Sequence, residues 1–307
     1  MRIFITGGNG LIGKKVVSIL EKEGHKIYSF DKFIKYKNTK KVSYFKGDIL
    51  NEKSIYNALR NCKIDILLHL AANLGVQKTE KNSYDCLNVN IEGTKNVLKA
   101  SVKNKVKRII FASSSEVYGN GENRPIKEDS ELMPKSSYGV SKVAGEYYVK
   151  AFYEKYKLKY NIIRFFNVYG PNQRDDFVIS KFKKNISENK TIKIFGSGNQ
   201  IRSFCHIDDA AKAVSLVISK GKKNEIYNIG NDNEPTKIIE LAKKIIKISN
   251  KKIKIVKIPF NKSDRSLKRE IFTRQPNIKK IREHTKYSPS VNLNMGITSV
   301  LFKKRYN

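Results

Sequence analysis

The amino-acid sequence predicts an α/β fold: a doubly wound parallel sheet with helices on both faces, joined to a smaller, interleaved C-terminal lobe. Three observations lead there. Short apolar runs alternate with longer amphipathic ones through the first half of the chain, a glycine-rich stretch joins the first such pair, and the alternation lapses beyond residue 168. Apolar strands separated by helix-length segments belong to parallel sheets buried on both faces.

Taken in order, residues 2–6, RIFIT, read as the first strand and residues 11–24, closed by Gly24, as the first helix. Further strands are expected at 26–30, 42–45, 64–70, 108–113 and 160–166, and helices at 51–61, 83–104 and 136–157. Past residue 168 come a turn-rich YGPNQRDD, a helical pattern at 176–188, the short TIKIF and then GSGNQIRSF. A strand at 225–230 and a helix at 236–249 follow, and the last stretch reads as irregular chain around one short helix. The expected organisation is a first domain over 1–168, to which 206–232 returns, and a second lobe made of 169–205 and 233–307.

A chain of 307 residues can bury a sizeable core. Its 62 Lys and Arg against 28 Asp and Glu leave a net charge of +34, a balance that favours phosphate-bearing small molecules. The charge is mostly Lys and runs the whole length, without a basic arm, an RNP-like aromatic motif or zinc-finger spacing, so no nucleic-acid partner is expected. No apolar run approaches the roughly 20 residues of a membrane span. MRIFITGGNG lacks the layout of a signal peptide, which makes the cytoplasm the expected location. Cys62, Cys86 and Cys205 show no paired spacing and the four histidines do not cluster, so neither disulfides nor a metal site is expected.

TGGNGLIG places Gly7, Gly10 and Gly13 between the first strand and the first helix. A pyrophosphate can approach backbone and helix N-terminus there only if no side chains intervene. Asp31 ends the second strand, 18 residues after Gly13, where a carboxylate can accept from both ribose hydroxyls and would repel a 2′-phosphate. Dinucleotide binding is therefore expected, with NAD preferred to NADP. Leu11 and Ile12, inside the same turn, belong to that expected site.

YGVSK sets Tyr138 and Lys142 four residues apart, on one face of a helix. A phenol with a pKa near 10 is a poor base at neutral pH, and an ammonium one turn away favours its phenolate. Tyr138 could then accept a proton from a sugar hydroxyl as hydride leaves for NAD.

TGGNGLIG, GDI (47–49), HLAA (69–72), NVNIEGT (88–94), SSSEVYG (113–119), YGVSK and RFFNVYGP (164–171) occur in one order along the chain. In these motifs the sequence resembles the extended short-chain dehydrogenase/reductases of the NAD-dependent epimerase/dehydratase family, UDP-glucose 4-epimerase-like enzymes that act on nucleotide sugars. The resemblance implies a Rossmann-type first domain and places the family's catalytic Ser or Thr on Ser114. It implies that Asp48 and Ile49 lie near the adenine, Ala71 and Ala72 along the cofactor, and Asn90 near the active site. It further implies that Asn167 and Arg202 contact the substrate diphosphate, with Arg269 as a second arginine and Arg265 its competitor, and that the chain forms a homodimer through 83–104 and 136–157.

All these enzymes begin by oxidising C4 of the sugar. A 4-epimerase needs nothing further, whereas a 4,6-dehydratase needs another acid/base pair and a UDP-glucuronate decarboxylase loses the C6 carboxylate. Glu116, two residues after Ser114, resembles the dehydratases and decarboxylases, while the HLAANLGV loop and the REIFTRQPNIKKI tail resemble epimerase-like members. The expected function is NAD-dependent nucleotide-sugar 4-epimerisation, with decarboxylation or dehydration through Glu116 as the alternative. A non-catalytic NAD-binding regulator is the remote one, against which the presence of Ser114, Tyr138 and Lys142 speaks.

Overall fold

The computed structural model of the protein describes residues 1–34, 36–75, 79, 81–120, 125–262 and 270–302. The chain begins with β1 (Arg2–Thr6), α1 (Leu11–Lys22), β2 (Lys26–Asp31), β3 (Val42–Lys46), α2 (Glu52–Leu59) and β4 (Ile66–His69). It continues through α3 (Ser83–Lys103), β5 (Arg108–Ser114), a short 3-10 turn over Ser115–Tyr118, α4 (Ser137–Tyr156) and β6 (Lys159–Phe165). These strands, joined later by β11 (Glu225–Ile229), make one seven-stranded sheet in the order β11-β6-β5-β4-β1-β2-β3. Every neighbouring pair in it is parallel.

Alternation along each strand explains how both faces are covered. Ile3 and Ile5 of β1, Ile66 and Leu68 of β4, and Ile110 and Ala112 of β5 enter one core, shared with Val16 and Leu20 of α1 and Ala210 and Val214 of α6 (Ile207–Lys220). Phe4, Leu67, Ile109 and Phe111 point the other way, into a second core with Ile55 of α2, Val97 of α3 and Val149 of α4. Strand order reverses between β1 and β4, and in open α/β sheets ligands bind beyond the carboxyl ends of the strands at such a switch point.

A third core belongs to the smaller lobe. α5 (Val178–Ser187), β8 (Ile192–Phe195), α7 (Ile238–Ser249) and α9 (Leu293–Phe302) pack through Ile179, Phe182, Ile194, Leu241, Ile245 and Ile297. Its strands are short. β7 (Val168–Tyr169) pairs with β10 (Cys205–His206), β9 (Ile201–Ser203) lies between β12 (Pro235–Lys237) and β14 (Thr273–Arg274), and β13 (Ile255–Ile258) lies beside β8. α8 (Lys279–Thr285) crosses back, and Ile281 with nearby Tyr287 fills the first core. Among the described residues no helix is long and apolar enough to cross a membrane.

Candidate active site

The cleft between the sheet's carboxyl edge and the smaller lobe has a volume of about 1230 Å³ and is lined by residues from both. At one end lies the glycine turn. Gly7 has φ +73°, a conformation unfavourable for side chains, and a Cβ there would stand 2.7 Å from the Ala71 amide nitrogen. A Cβ on Gly13 would stand 2.2 Å from the Gly7 carbonyl oxygen, so both glycines are required by the close packing of turn, helix and β4 loop. Gly10 caps α1 without any side-chain bond, leaving the helix N-terminus directed at the cleft for an anion. Leu11 and Ile12 line the same end.

Asp31, at the end of β2, accepts from the Asn9 backbone at 3.0 Å and from the Phe33 backbone at 3.1 Å. Two amide donors fix the carboxylate on the cleft wall beside the glycine turn. Neighbouring Lys32 is drawn away to Asp48 at 2.8 Å. The cradle therefore fits a dinucleotide with free ribose hydroxyls. Asp48, Ile49, Ala71 and Asn90 are not among the cleft-lining residues, whereas Ala72 is. Asn90 is 3% exposed and instead knits the wall, donating to the Asn73 carbonyl at 3.0 Å and the Ser141 hydroxyl at 2.9 Å and accepting from the Asn73 backbone at 2.7 Å.

Ser114 closes β5, and its hydroxyl accepts from the Glu116 backbone at 3.2 Å. Tyr138 stands in the first turn of α4, capped by Ser136, which accepts from the Gly139 backbone at 3.1 Å. Lys142, one turn on, is 3% exposed; its Nζ donates to the Ala112 carbonyl at 2.8 Å and lies 5.7 Å from the Tyr138 ring centre. Ser114, Tyr138 and Lys142 thus converge on one part of the cleft.

The electrostatics of this group are strained. Burial pushes the Lys142 ammonium down to about 8, against smaller upward pulls from Cys86 and Glu146. Burial first, and then the charge of Glu116, raise the Tyr138 phenol above its ordinary value. A hydrogen bond with Ser114 and the charge of Arg274 oppose that rise.

Glu116 is 9% exposed and held on two sides. Arg274 Nη2 donates to Oε1 at 2.8 Å, and the Ser136 hydroxyl donates to Oε2 at 3.3 Å. Arg274 lies on β14 directly beside Arg202 of β9, and both arginines face the cleft. Arg202 donates to Glu270 at 2.9 Å and to the Phe272 carbonyl at 3.2 Å. Asn167, in the left-handed region at φ +37°, donates to the Ser203 carbonyl at 3.1 Å and also lines the cleft. Arg269 and its competitor Arg265 lie outside the described residues. Arg274, Ser136 and Glu270 are cleft residues that the sequence reading did not single out; nothing in spacing announces Arg274, because what defines it is contact with a carboxylate far away in the chain.

The family model described as the NAD dependent epimerase/dehydratase family matches residues 3–230. A UDP-N-acetyl-alpha-D-glucosaminuronate decarboxylase of Bacillus cytotoxicus is 33% identical, over 98% of this chain and 96% of its own. A human dTDP-D-glucose 4,6-dehydratase is 34% identical over 80% of this chain and 73% of its own. Among solved structures, a UDP-glucuronic acid 4-epimerase from Bacillus cereus, in complex with UDP-glucuronic acid and NAD, superposes with a TM-score of 0.88 at 29% identity, over 98% of both chains. Three different reactions at nearly equal identity mean that likeness alone does not choose among them. A match over most of the chain, on a sheet and glycine turn of the required form, establishes that this chain belongs to the NAD-dependent epimerase/dehydratase family.

Proposed function

We propose that this chain oxidises C4 of a nucleotide-diphosphate-linked hexuronic acid, using tightly held NAD, and then releases the C6 carboxylate as carbon dioxide. The observation that carries this reading is the buried Glu116–Arg274 pair on the wall of the cleft that holds Ser114 and Tyr138. Inverting C4 needs only Tyr138, Lys142 and Ser114. The Glu116 carboxylate disfavours the phenolate that every C4 oxidation requires and the Arg274 charge opposes it, so the pair brings nothing to that shared step. Burying an ion pair is itself costly, of the order of several kcal/mol per ion. A cation and an acid at this place gain a use when a second step follows C4 oxidation. Arg274 also has a buried Nε without a partner among the described residues, a donor available to a substrate carboxylate. The names of the B. cytotoxicus and B. cereus proteins support a uronate as the substrate class.

NAD, when bound, would supply the acceptor for the C4 hydride and the donor for its return, leaving no net redox change. The glycine turn and the α1 N-terminus would hold its pyrophosphate and Asp31 its ribose; Asn167 and Arg202 would hold the substrate diphosphate. Lys142 lowers the cost of the Tyr138 phenolate, which takes the proton from O4, and Ser114 orients that oxygen. The C5–C6 bond, β to the new carbonyl, then breaks, and its electron pair passes to C5 and the C4 oxygen. Ser114 and Tyr138 donate to that oxygen. With Arg274 turned to the substrate carboxylate, Glu116 takes a proton from solvent water and passes it to C5, which the departing carbon dioxide has left as an enolate carbon.

4-Epimerisation, first on sequence alone, is the second reading. One observation favours it: closed on Arg274 and Ser136, Glu116 serves as a brace for its loop. The test is incubation of the purified protein with NAD and a panel of UDP-, GDP-, CDP- and dTDP-linked hexoses and hexuronates, followed by product masses. Loss of carbon dioxide from a uronate supports the proposal, an isomer of unchanged mass makes the chain an epimerase, loss of water makes it a dehydratase, and no change across the panel overturns the enzymatic reading.

A further inference from the structure

We infer that Glu146, backed by Arg164, is a positioning residue of this active site, tying the strand end that carries Ser114 to the helix that carries Tyr138 and Lys142. The inference rests on the reading of those three residues as the reacting set.

Glu146 lies on α4 one turn beyond Lys142 and is 0% exposed; Arg164, on β6, is 2% exposed. The two form a fork, with Arg164 Nε 2.9 Å from Oε1 and Nη2 2.6 Å from Oε2. The Ser113 hydroxyl donates to the same Oε1 at 2.5 Å, one residue before Ser114. Arg164 Nη1 donates to the Tyr118 hydroxyl at 2.7 Å and the Glu128 carbonyl at 2.8 Å, and Tyr118 donates to Asn228 of β11 at 2.7 Å. β5, the 3-10 turn, α4, β6 and β11 are therefore linked through one buried ion pair.

Stability alone is a poor reason for such a pair, because apolar residues of similar volume often replace a buried ion pair at no loss. Apolar residues cannot give Ser113 a directional acceptor or place a negative charge behind Lys142. The groups facing Lys142 are Tyr138 and Glu146 from its own helix, Cys86 from α3, His69 from β4, and the Ala112 carbonyl and Phe111 ring from β5. Of these, Glu146 is the carboxylate. It works against the burial that draws the proton off Lys142, and its bond to Ser113 fixes the register of strand against helix.

The discriminating variant is the double substitution Glu146→Leu with Arg164→Met, which removes both charges together. The expected result is a folded protein with NAD affinity within about threefold of the parent and unchanged KM. Its kcat falls about 100-fold, the order of loss that a small misplacement of reacting groups produces. Competitive acetylation across pH, read by peptide mass spectrometry, should show Lys142 titrating at lower pH than in the parent. A kcat within about threefold of the parent, with Lys142 unmoved, overturns the inference. Should the double variant not fold, Ser113→Ala decides: about a tenfold lower kcat in a protein still fully folded at the assay temperature supports the tether, and an unchanged kcat removes it. If the parent itself turns over no nucleotide sugar, the function proposed above fails, while the Lys142 titration still decides this inference.

Discussion

Arg274 holds Glu116 across 158 residues of sequence, its Nη2 2.8 Å from Oε1, so that a two-residue strand of the smaller lobe closes onto the loop that follows β5. Both charges act on the Tyr138 phenol, Glu116 raising its pKa and Arg274 lowering it. The pair is thus an electrostatic contact between the two lobes on the cleft wall that carries Ser114 and Tyr138. On the proposed mechanism it also sets how much negative charge Tyr138 experiences as it becomes a phenolate.

Removing one member of the pair should be worse than removing both. Arg274→Ala removes one cation from a buried carboxylate, and breaking a buried pair costs about 3–5 kcal/mol in comparable cases. Glu116→Gln with Arg274→Met removes both charges and keeps the volume, and should recover most of that loss. Urea unfolding of the two variants checks the order. An Arg274→Ala protein as stable as the parent would mean that the pair is already solvated and carries no such energy.

Glu116→Gln alone separates chemistry from architecture. The amide oxygen can still accept from Arg274 and the amide NH2 can donate to the Ser136 hydroxyl, but the side chain delivers no carboxylic-acid proton. If Glu116 protonates C5, product formation from the uronate should fall by about 10²–10⁴-fold while NAD reduction in a single turnover persists. Stopped-flow absorbance of the reduced nicotinamide beside the mass of the released product measures both. Parent-like release of carbon dioxide would return Glu116 to the role of loop brace and strengthen the epimerase reading.

Lys142 supplies a pH dependence whose sign is opposite for activity and for stability. Burial lowers its pKa from 10.5 to about 8 in the folded chain. The unfolded chain therefore binds the extra proton between pH 8 and 10.5, and stability rises with pH through that window; below pH 8 the burial penalty is present in full. Activity should fall through the same window, because a neutral Lys142 no longer favours the Tyr138 phenolate. The melting temperature of the parent relative to Lys142→Met should increase between pH 8 and 10.5 as kcat/KM declines. Parallel behaviour of the two proteins would show that Lys142 keeps an ordinary pKa.

Much of the fold was legible because its signals are local. The helices expected at 83–104 and 136–157 form over Ser83–Lys103 and Ser137–Tyr156, where apolar periodicity coincides with Asn82 and Ser136 as caps. The glycine turn and Asp31 were legible as a unit because strand, turn, helix and the next strand's end follow one another in the chain, and the structure sets them side by side on the cleft wall. Strands of two or three residues, such as β7, β9 and β14, are too short to display a period, and only pairing creates them. α6 had signals that went unused, acidic Asp208 and Asp209 in its first turn before an apolar stripe. Arg274 had none, because its meaning lies in Glu116.

The cofactor end yields a prediction that needs no substrate. Asp31 is preset by the Asn9 and Phe33 amides, and Lys32, the adjacent cation, is engaged by Asp48. A preset carboxylate binds ribose hydroxyls without reorganising and repels a 2′-phosphate. Asp31→Ala should weaken NAD roughly tenfold or more, the worth of hydrogen bonds to a charged group. The same change should leave NADP no weaker than before, since it deletes repulsion along with attraction. Gly13→Ala should abolish binding of both, because its Cβ would meet the Gly7 carbonyl oxygen at 2.2 Å and displace the turn that receives the pyrophosphate. Calorimetric titration of both nucleotides into cofactor-stripped protein measures all of this. Equal loss of NAD and NADP in Asp31→Ala would mean that the carboxylate shapes the loop without reading the ribose, and the preference for NAD would then need another source.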